Sequence, residues 1–134
     1  FRTICAFMNS NGGTLYIGVK DNGEPIGVDD DFALIDDPNP EDVFAQRLAE
    51  LLRRRIEPFD PGSTSVSFPV LAGKRLIQIE VKQRPGVTYL REKSETDDGG
   101  ESIYVRDGNR TVRLQGRERD RFVLQRFRHA DTES

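Results

Sequence analysis

The chain has 134 residues, of which 35% are hydrophobic and 32% charged, and its formal net charge is −3. This composition fits one compact domain and excludes a disordered chain, while the negative charge alone argues against a strong polyanion binder. The single cysteine, Cys5, excludes an internal disulfide and a cysteine-based zinc site. No apolar run approaches the ~20 residues of a membrane span, so we expect a cytoplasmic protein without a membrane partner.

The first third of the chain predicts a helix followed by a hairpin. Residues 1–9 have the apolar spacing of a helix, and Asn11-Gly12-Gly13 ends it because glycine tolerates a left-handed backbone. Thr14–Val19 and Pro25–Val28 are predicted strands, joined by a turn that contains Asn22-Gly23.

The middle of the chain predicts a loop and then a longer helix. Residues 29–40 are acidic and rich in turn formers, which indicates a loop or a short helical turn. Asn39 is placed to cap a helix whose first residue is Pro40, and Pro58 ends that helix.

The remaining sequence predicts strands and a final helix. These elements are Ser63–Leu71, Arg75–Val81, Val87–Leu90, Ile103–Arg106, Arg110–Leu114 and the helix Glu118–Phe127, with a polar loop over 92–102. Many short strands and few helices predict an α+β domain with a mixed, mainly antiparallel sheet flanked by about three helices. We expect 1–134 to be one domain, an N-terminally truncated piece of a larger protein since no methionine starts it, with a disordered tail over 128–134.

The glycine turns carry two interpretations. Glycine-rich turns can present backbone N–H groups to phosphate, but a P-loop runs strand, loop, helix, and here a helix precedes the glycines. A helix stop and a hairpin turn explain Gly12, Gly13 and Gly23 without a ligand, and Gly18 and Gly27 can approach each other closely across the hairpin.

Charge is distributed unevenly along the chain. Residues 1–60 carry 6 Lys/Arg against 12 Asp/Glu, a net −6, whereas residues 61–134 carry 14 against 11, a net +3. From Arg106 to Arg128 there are 8 arginines against 3 acids. A charged hairpin explains Arg106, Arg110 and Arg113, but the same residues can bind phosphates bidentately.

Four segments together resemble a known family. They are ICAFMNSNGGTLYIGVKDNGEPIGV, FAQRLAELLRRRIEP, KRLIQIEVKQRPGVTYL and IYVRDGNRTVRL. In this order and spacing they resemble the Schlafen AlbA-type (AlbA_2-like) domain over nearly the whole chain. The family signature is carried here by Asn9, Gly12, Gly13, Gly18, Asp21, Gly23 and Gly27.

The resemblance implies a domain that binds nucleic acid, DNA or RNA, in a bacterial-type transcriptional regulator or a related multidomain protein. Binding would be mostly electrostatic and would need no cofactor. The residues expected to meet the nucleic acid are Arg106, Arg110, Thr111, Arg113, Lys74, Arg75, Lys82, Arg84 and Arg91.

Two other functions stay open. Some Schlafen proteins cleave RNA with two upstream glutamates and an aspartate after the glycine-containing strand, and only the aspartate has a counterpart here, Asp21. A divalent cation would be required only for such a nuclease, and this fragment is not expected to cleave alone. The third function is a protein-interaction module, and exposed strand edges leave a homodimer open.

Overall fold

The computed structural model describes the backbone of residues 1–92 and 100–133, and the side chains of these residues as far as Arg126. Within this part of the chain, the helices are α1 (Arg2–Asn9), α2 (Asp29–Ala33), α3 (Pro40–Arg55) and α4 (Gly116–Glu133), with a 3₁₀ turn at Pro61–Ser63. The strands are β1 (Gly13–Ile17), β2 (Ile56–Glu57), β3 (Thr64–Ser67), β4 (Val70–Leu71), β5 (Lys74–Arg75), β6 (Ile77–Val81), β7 (Tyr89–Arg91), β8 (Glu101–Ser102), β9 (Tyr104–Asp107) and β10 (Arg110–Arg113).

Every described strand pair is antiparallel, which confirms the α+β class with short strands. The strands are divided among four small sheets, of which the central one has the order β1-β6-β3. Leu15, Ile79 and Val66 align across that sheet and turn toward the core, while Glu80 lies between Thr14 and Ser65 on the outer face.

Helix α1 is the most deeply placed helix and organises the core. Ile4, Cys5 and Met8 are buried, as the helical spacing of residues 1–9 predicts. The helix packs against the central sheet and against the β9–β10 hairpin. A second layer of the core is aromatic: the rings of Phe32 and Phe44 have centroids 5.9 Å apart at a tilted angle.

The return strand predicted over Pro25–Val28 is wrong. Only an isolated bridge joins Val19 to Pro25, and β1 pairs with β6 instead. Gly18 and Gly27 both have positive φ, so the chain bends away after Gly18, and Val28 N–H donates to Arg75 O at 2.9 Å. The predicted close approach of the two glycines is nevertheless confirmed, because Gly27 N–H donates to Gly18 O at 2.9 Å.

Two further boundaries differ from the sequence pattern. The predicted strand Ser63–Leu71 is divided into β3 and β4 around Pro69, which has no N–H to continue a ladder and whose carbonyl accepts from Leu76 at 2.8 Å. Helix α4 extends to Glu133, beyond the predicted end at Phe127. The side chains of 127–134 lie outside the described part, and the predicted disorder of 128–134 stays a prediction. Most of the predicted loop 92–102 likewise lies outside the described residues. In the described part of the chain, no helix has the length and apolar character needed to cross a membrane.

Candidate nucleic-acid interface

The buried side chain of Asn9, at the last turn of α1, joins three segments of the domain. Its Nδ2 donates to Thr88 O at 2.8 Å and to Tyr104 O at 2.9 Å, and its Oδ1 accepts from Thr88 N–H at 2.8 Å. Asn9 is 1% exposed, so these backbone groups have no access to water as an alternative partner. The amide therefore fixes β9 and the segment before β7 against the end of α1.

Directly after Asn9, the chain passes through a space too small for a side chain. Gly12 has φ +73°, and a Cβ there would lie 2.6 Å from Val81 O and 3.5 Å from the Cα of Lys82. A Cβ on Gly13 would lie 2.6 Å from the Phe7 ring. The glycines thus let the chain leave α1 and enter β1 while touching the residues that follow β6.

Ser10 and Thr111 hold Arg106 beside the same helix end. The backbone N–H of Arg106 donates to Ser10 Oγ at 2.9 Å, and its Nη1 donates to Thr111 Oγ1 at 2.9 Å. Its guanidinium lies 5.1 Å from the centroid of the Phe7 ring. Arg106 is half-buried, and its guanidinium is held between Thr111 and the Phe7 ring.

Two more arginines are attached to the carbonyls at the end of α1. Arg84 N–H donates to Met8 O at 2.8 Å, and the Arg84 guanidinium donates to Pro58 O at 2.7 Å. Arg126, from α4, donates to Arg84 O at 3.0 Å and also to the carbonyl of Asn9. The Arg126 guanidinium at Asn9 O suits the partial negative charge of a helix C-terminus, whereas Arg84 meets the helix through its backbone N–H.

Five cationic residues from three segments therefore adjoin residues 8–12. The contacts of Lys82, Arg84 and Arg106 there are made by the backbone, and those of Arg121 and Arg126 by the side chain. We call this surface the basic corner; its members are Lys82, Arg84, Arg106, Arg121 and Arg126. Arg84, Arg106 and Arg126 are half-buried and tied to the protein, whereas Lys82 and Arg121 are exposed. The two exposed members are the ones that can reach a large anion without breaking an internal contact.

An apolar groove of about 350 Å³ opens beside the basic corner, between the β9–β10 hairpin and α4. Val105, Leu114 and Phe122 form its apolar surface, and Glu118 and Arg121 lie on the α4 side. We call it the α4 groove.

Acidic residues occupy the opposite end of the central sheet. Arg75 Nε is 3.3 Å from Asp29 Oδ1 and 3.6 Å from Glu41 Oε1, so this cation is neutralised within the domain. Arg75 precedes β6 and Lys82 follows it, and a five-residue strand separates its ends by roughly 15 Å. The uneven charge of the sequence thus becomes a charge separation along the sheet.

The cations predicted from the sequence do not form one surface. Arg91 lies at β7 and pairs with Glu57 at 3.0 Å, and exposed Lys74 lies in the β4–β5 hairpin beside Arg75. In the register of the β9–β10 hairpin, Arg106 lies opposite Thr111 and Arg113 opposite Tyr104. Exposed Arg110 lies opposite Asp107 at the tip. Strand alternation therefore sends Arg110 to the face opposite Arg106. Of the nine predicted nucleic-acid contacts, Lys82, Arg84, Arg106 and Thr111 come together at the corner.

Asp21, the aspartate of the nuclease hypothesis, lies in the exposed turn after β1. Among the side chains of residues 1–92 and 100–126, no group of three or more His, Cys, Asp or Glu is placed to hold a metal ion. The role of Asp21 in cleavage stays a prediction.

A polar cluster of Arg2, Glu92 and Tyr104 lies on the face of the β9–β10 hairpin that also carries Arg106. Arg2 Nε is 3.1 Å from Glu92 Oε2, and the Tyr104 hydroxyl donates to Glu92 Oε1. Burial acts to raise the pKa of Glu92, but the hydrogen bonds from Tyr104 and Arg2 outweigh it, and the pKa is lowered from its ordinary value. Burial and the bond to Glu92 raise the pKa of Tyr104. Glu92 is therefore a charged anchor that holds β9 to the start of α1.

Cys5 is buried against the same framework, and burial raises the pKa of its thiol to about 11. The thiol lies 3.5 Å from Thr88 O. A protonated thiol in this setting is a poor nucleophile, and Cys5 packs as a core residue.

Sequence reasoning missed Arg121 and Arg126 as members of the site. Their signal was present as the excess of arginine between Arg106 and Arg128, but a helix with alternating charges does not indicate which face meets the rest of the domain.

An α+β domain with cations gathered at one end and acids at the other has the charge separation expected of a protein that meets a polyanion. The chain belongs to the Schlafen AlbA_2 family, whose model, described as "Schlafen, AlbA_2", matches residues 1–115. The family relates the domain to nucleic acids. No curated protein and no solved structure matches the chain. The matched range includes Lys82, Arg84 and Arg106 but ends before α4.

Proposed function

We propose that the domain binds nucleic acid, DNA or RNA, through phosphate contacts at the basic corner, and that it serves a regulator of transcription. The observation that supports this most directly is the gathering of five cationic residues around residues 8–12. Lys and Arg side chains bind phosphates through charge, and arginine adds a bidentate geometry.

The exposed members carry the main part of this proposal. Lys82 follows β6, and its Cα lies 3.5 Å from the position that a Cβ on Gly12 would take; Arg121 shares the α4 groove with Ser10. Arg106, which lies between these two residues in the sequence, adds a third cation to the corner. Because Thr111 accepts from its Nη1 and the Phe7 ring lies beside the guanidinium, a phosphate would meet a group that is already oriented.

The acidic end of the sheet favours one orientation of the ligand. Asp29, Asp30 and Asp31 lie in the first turn of α2, and Glu41 and Asp42 in the first turn of α3. A strand of phosphates that lies across the basic corner avoids these carboxylates, whereas one that runs along the whole sheet meets them. The net charge of −3 therefore permits local binding and limits its strength.

The test is a titration of the domain with a fluorescein-labelled single strand, a duplex of the same sequence and the corresponding RNA, each at several KCl concentrations. We expect binding that weakens as salt rises, with a linear relation between the logarithms of affinity and salt concentration. Absence of binding at low salt, or binding unaffected by salt, would contradict the proposal.

A further inference from the structure

The α4 groove is formed half by the family domain and half by α4, which lies beyond the matched residues. Glu118, Arg121, Phe122 and Gln125 follow one another at helical spacing, so they share one face of α4. Opposite them, Val105 is the outward residue of β9, paired with Val112 on the face of the hairpin away from α1. The groove thus lies between the outer face of the hairpin and one face of α4.

The groove has the size and lining of a site for a single flat, partly apolar group. Ligand sites in proteins have volumes of roughly 300–1,000 Å³, and this one, at about 350 Å³, lies at the small end. Val105 and Leu114 supply aliphatic surface, and half-buried Phe122 supplies an aromatic ring. Gln125 and the Ser10 hydroxyl add neutral groups that can donate or accept hydrogen bonds.

The charges around the groove orient such a ligand. Arg121 belongs to both the groove and the basic corner, whereas Glu118, one turn earlier on α4, is acidic. An attached phosphate is therefore favoured on the Arg121 side and disfavoured on the Glu118 side. Glu118 can instead accept from the exocyclic amine of a base.

We infer that the α4 groove receives one unpaired nucleobase, whose phosphate lies at Arg121 in the basic corner. A nucleotide joins a flat ring to an anion, which is the combination that an apolar slot next to a cationic surface selects. Bases in a duplex are stacked and paired and cannot enter such a slot, so the inference extends the proposed function to single strands, loops or strand ends. It rests on the proposed function, because the phosphate contact is the same.

The test compares a labelled single strand with an abasic oligonucleotide of the same length, which keeps the phosphates and lacks the bases. We expect the base-bearing strand to bind at least about fivefold more tightly, since stacking of a base on an aromatic side chain supplies this much or more. The intact duplex should bind no better than the abasic strand.

A pair of variants locates the effect in the groove. Phe122→Leu keeps an apolar side chain but removes the aromatic face, so the preference for the base-bearing strand should fall, while Leu124→Ala changes an exposed α4 residue outside the groove and should preserve it. Thermal unfolding confirms that each variant is folded. If Phe122→Leu does not fold, the comparison of oligonucleotides on the unaltered protein still decides.

The outcomes separate the inference from the function beneath it. Salt-dependent binding of equal strength to base-bearing and abasic strands would overturn the nucleobase site and leave the basic corner standing. No salt-dependent binding to either strand would overturn the proposed function as well. A duplex that binds more tightly than the single strand would also overturn the nucleobase site.

Discussion

Two Asn-Gly segments of this domain are similar in sequence but differ in what surrounds them. The turn at Asn22-Gly23 is exposed, and a Cβ on Gly23 would meet nothing within 4 Å. The segment from Asn9 to Gly13 is enclosed: its first residue bonds to two other segments, and a Cβ on Gly12 would lie 2.6 Å from a backbone oxygen. The exposed turn at Asn22-Gly23 only reverses the chain, whereas the enclosed segment Asn9–Gly13 also holds the cations of the basic corner in place.

The largest expected effect is at Asn9. Asn9→Ala removes the side-chain partner of Thr88 N–H and of Tyr104 O and leaves Thr88 O only the weak Cys5 thiol donor; each buried group left without a partner costs about 1–3 kcal/mol. We expect the free energy of unfolding in urea to fall by about 3 kcal/mol or more.

The matched change is Asn22→Ala, whose side chain accepts one exposed bond from Glu24 N–H at 3.0 Å. Its cost should be below about 1 kcal/mol. Equal losses for the two variants would break the comparison, because they would show that Asn9 does no more than shape a turn.

The next effect separates enclosure from backbone strain. Gly12 and Gly73 have φ of +73° and +74°, but a Cβ on Gly73 would meet nothing within 4 Å. Alanine at either position carries the strain of a left-handed conformation, about 1–2 kcal/mol, and only Gly12→Ala adds a clash of about 1–3 kcal/mol. In urea unfolding, the loss in free energy of unfolding should therefore be larger for Gly12→Ala than for Gly73→Ala, and the difference should equal the cost of the clash. A Gly73→Ala variant as unstable as Gly12→Ala would show that enclosure contributes nothing.

A smaller effect concerns the cluster that holds β9 in position. Tyr104→Phe removes the hydrogen bond to Glu92 and should lower the free energy of unfolding at neutral pH by about 1–2 kcal/mol. The lowered pKa of Glu92 means that its contribution is present above the ordinary value of 4.5 and is lost as pH falls through the folded-state pKa. The raised pKa of Tyr104 means that its contribution is present below 10.0 and is lost as pH rises through the folded-state pKa.

Urea unfolding across this pH range checks the account. The difference between the unaltered protein and Tyr104→Phe should be greatest between these limits and decrease toward both. A difference that does not change with pH would contradict the assigned pKa shifts. Arg2→Gln alters the other partner of Glu92. The difference in free energy of unfolding between this variant and the unaltered protein should decrease only as pH falls, and not as pH rises through the pKa of Tyr104.

Local patterns predicted much of the fold, but the assembly of the site depended on contacts between distant residues. The apolar spacing in α1 and the turns at Gly12 and Gly23 follow from residues close together in sequence, and they were correct. The strand at Pro25–Val28 was wrong, because β1 found a better partner in β6, which lies far along the chain. Arg106 and Arg110 are four residues apart, yet strand alternation places them on opposite faces, and Arg121 joins the corner only through the packing of α4.

The central claim is that the exposed members of the basic corner bind phosphates. The most direct measurement compares Lys82→Ala/Arg121→Ala with Arg53→Ala/Arg54→Ala, two exposed α3 arginines whose loss changes the net charge equally. Both variants are titrated with a labelled single strand over a range of KCl concentrations. The first should bind more weakly, with a salt slope reduced by about two phosphate contacts, and the second should bind like the unaltered protein. Equal affinities and equal slopes for the two variants would contradict the account.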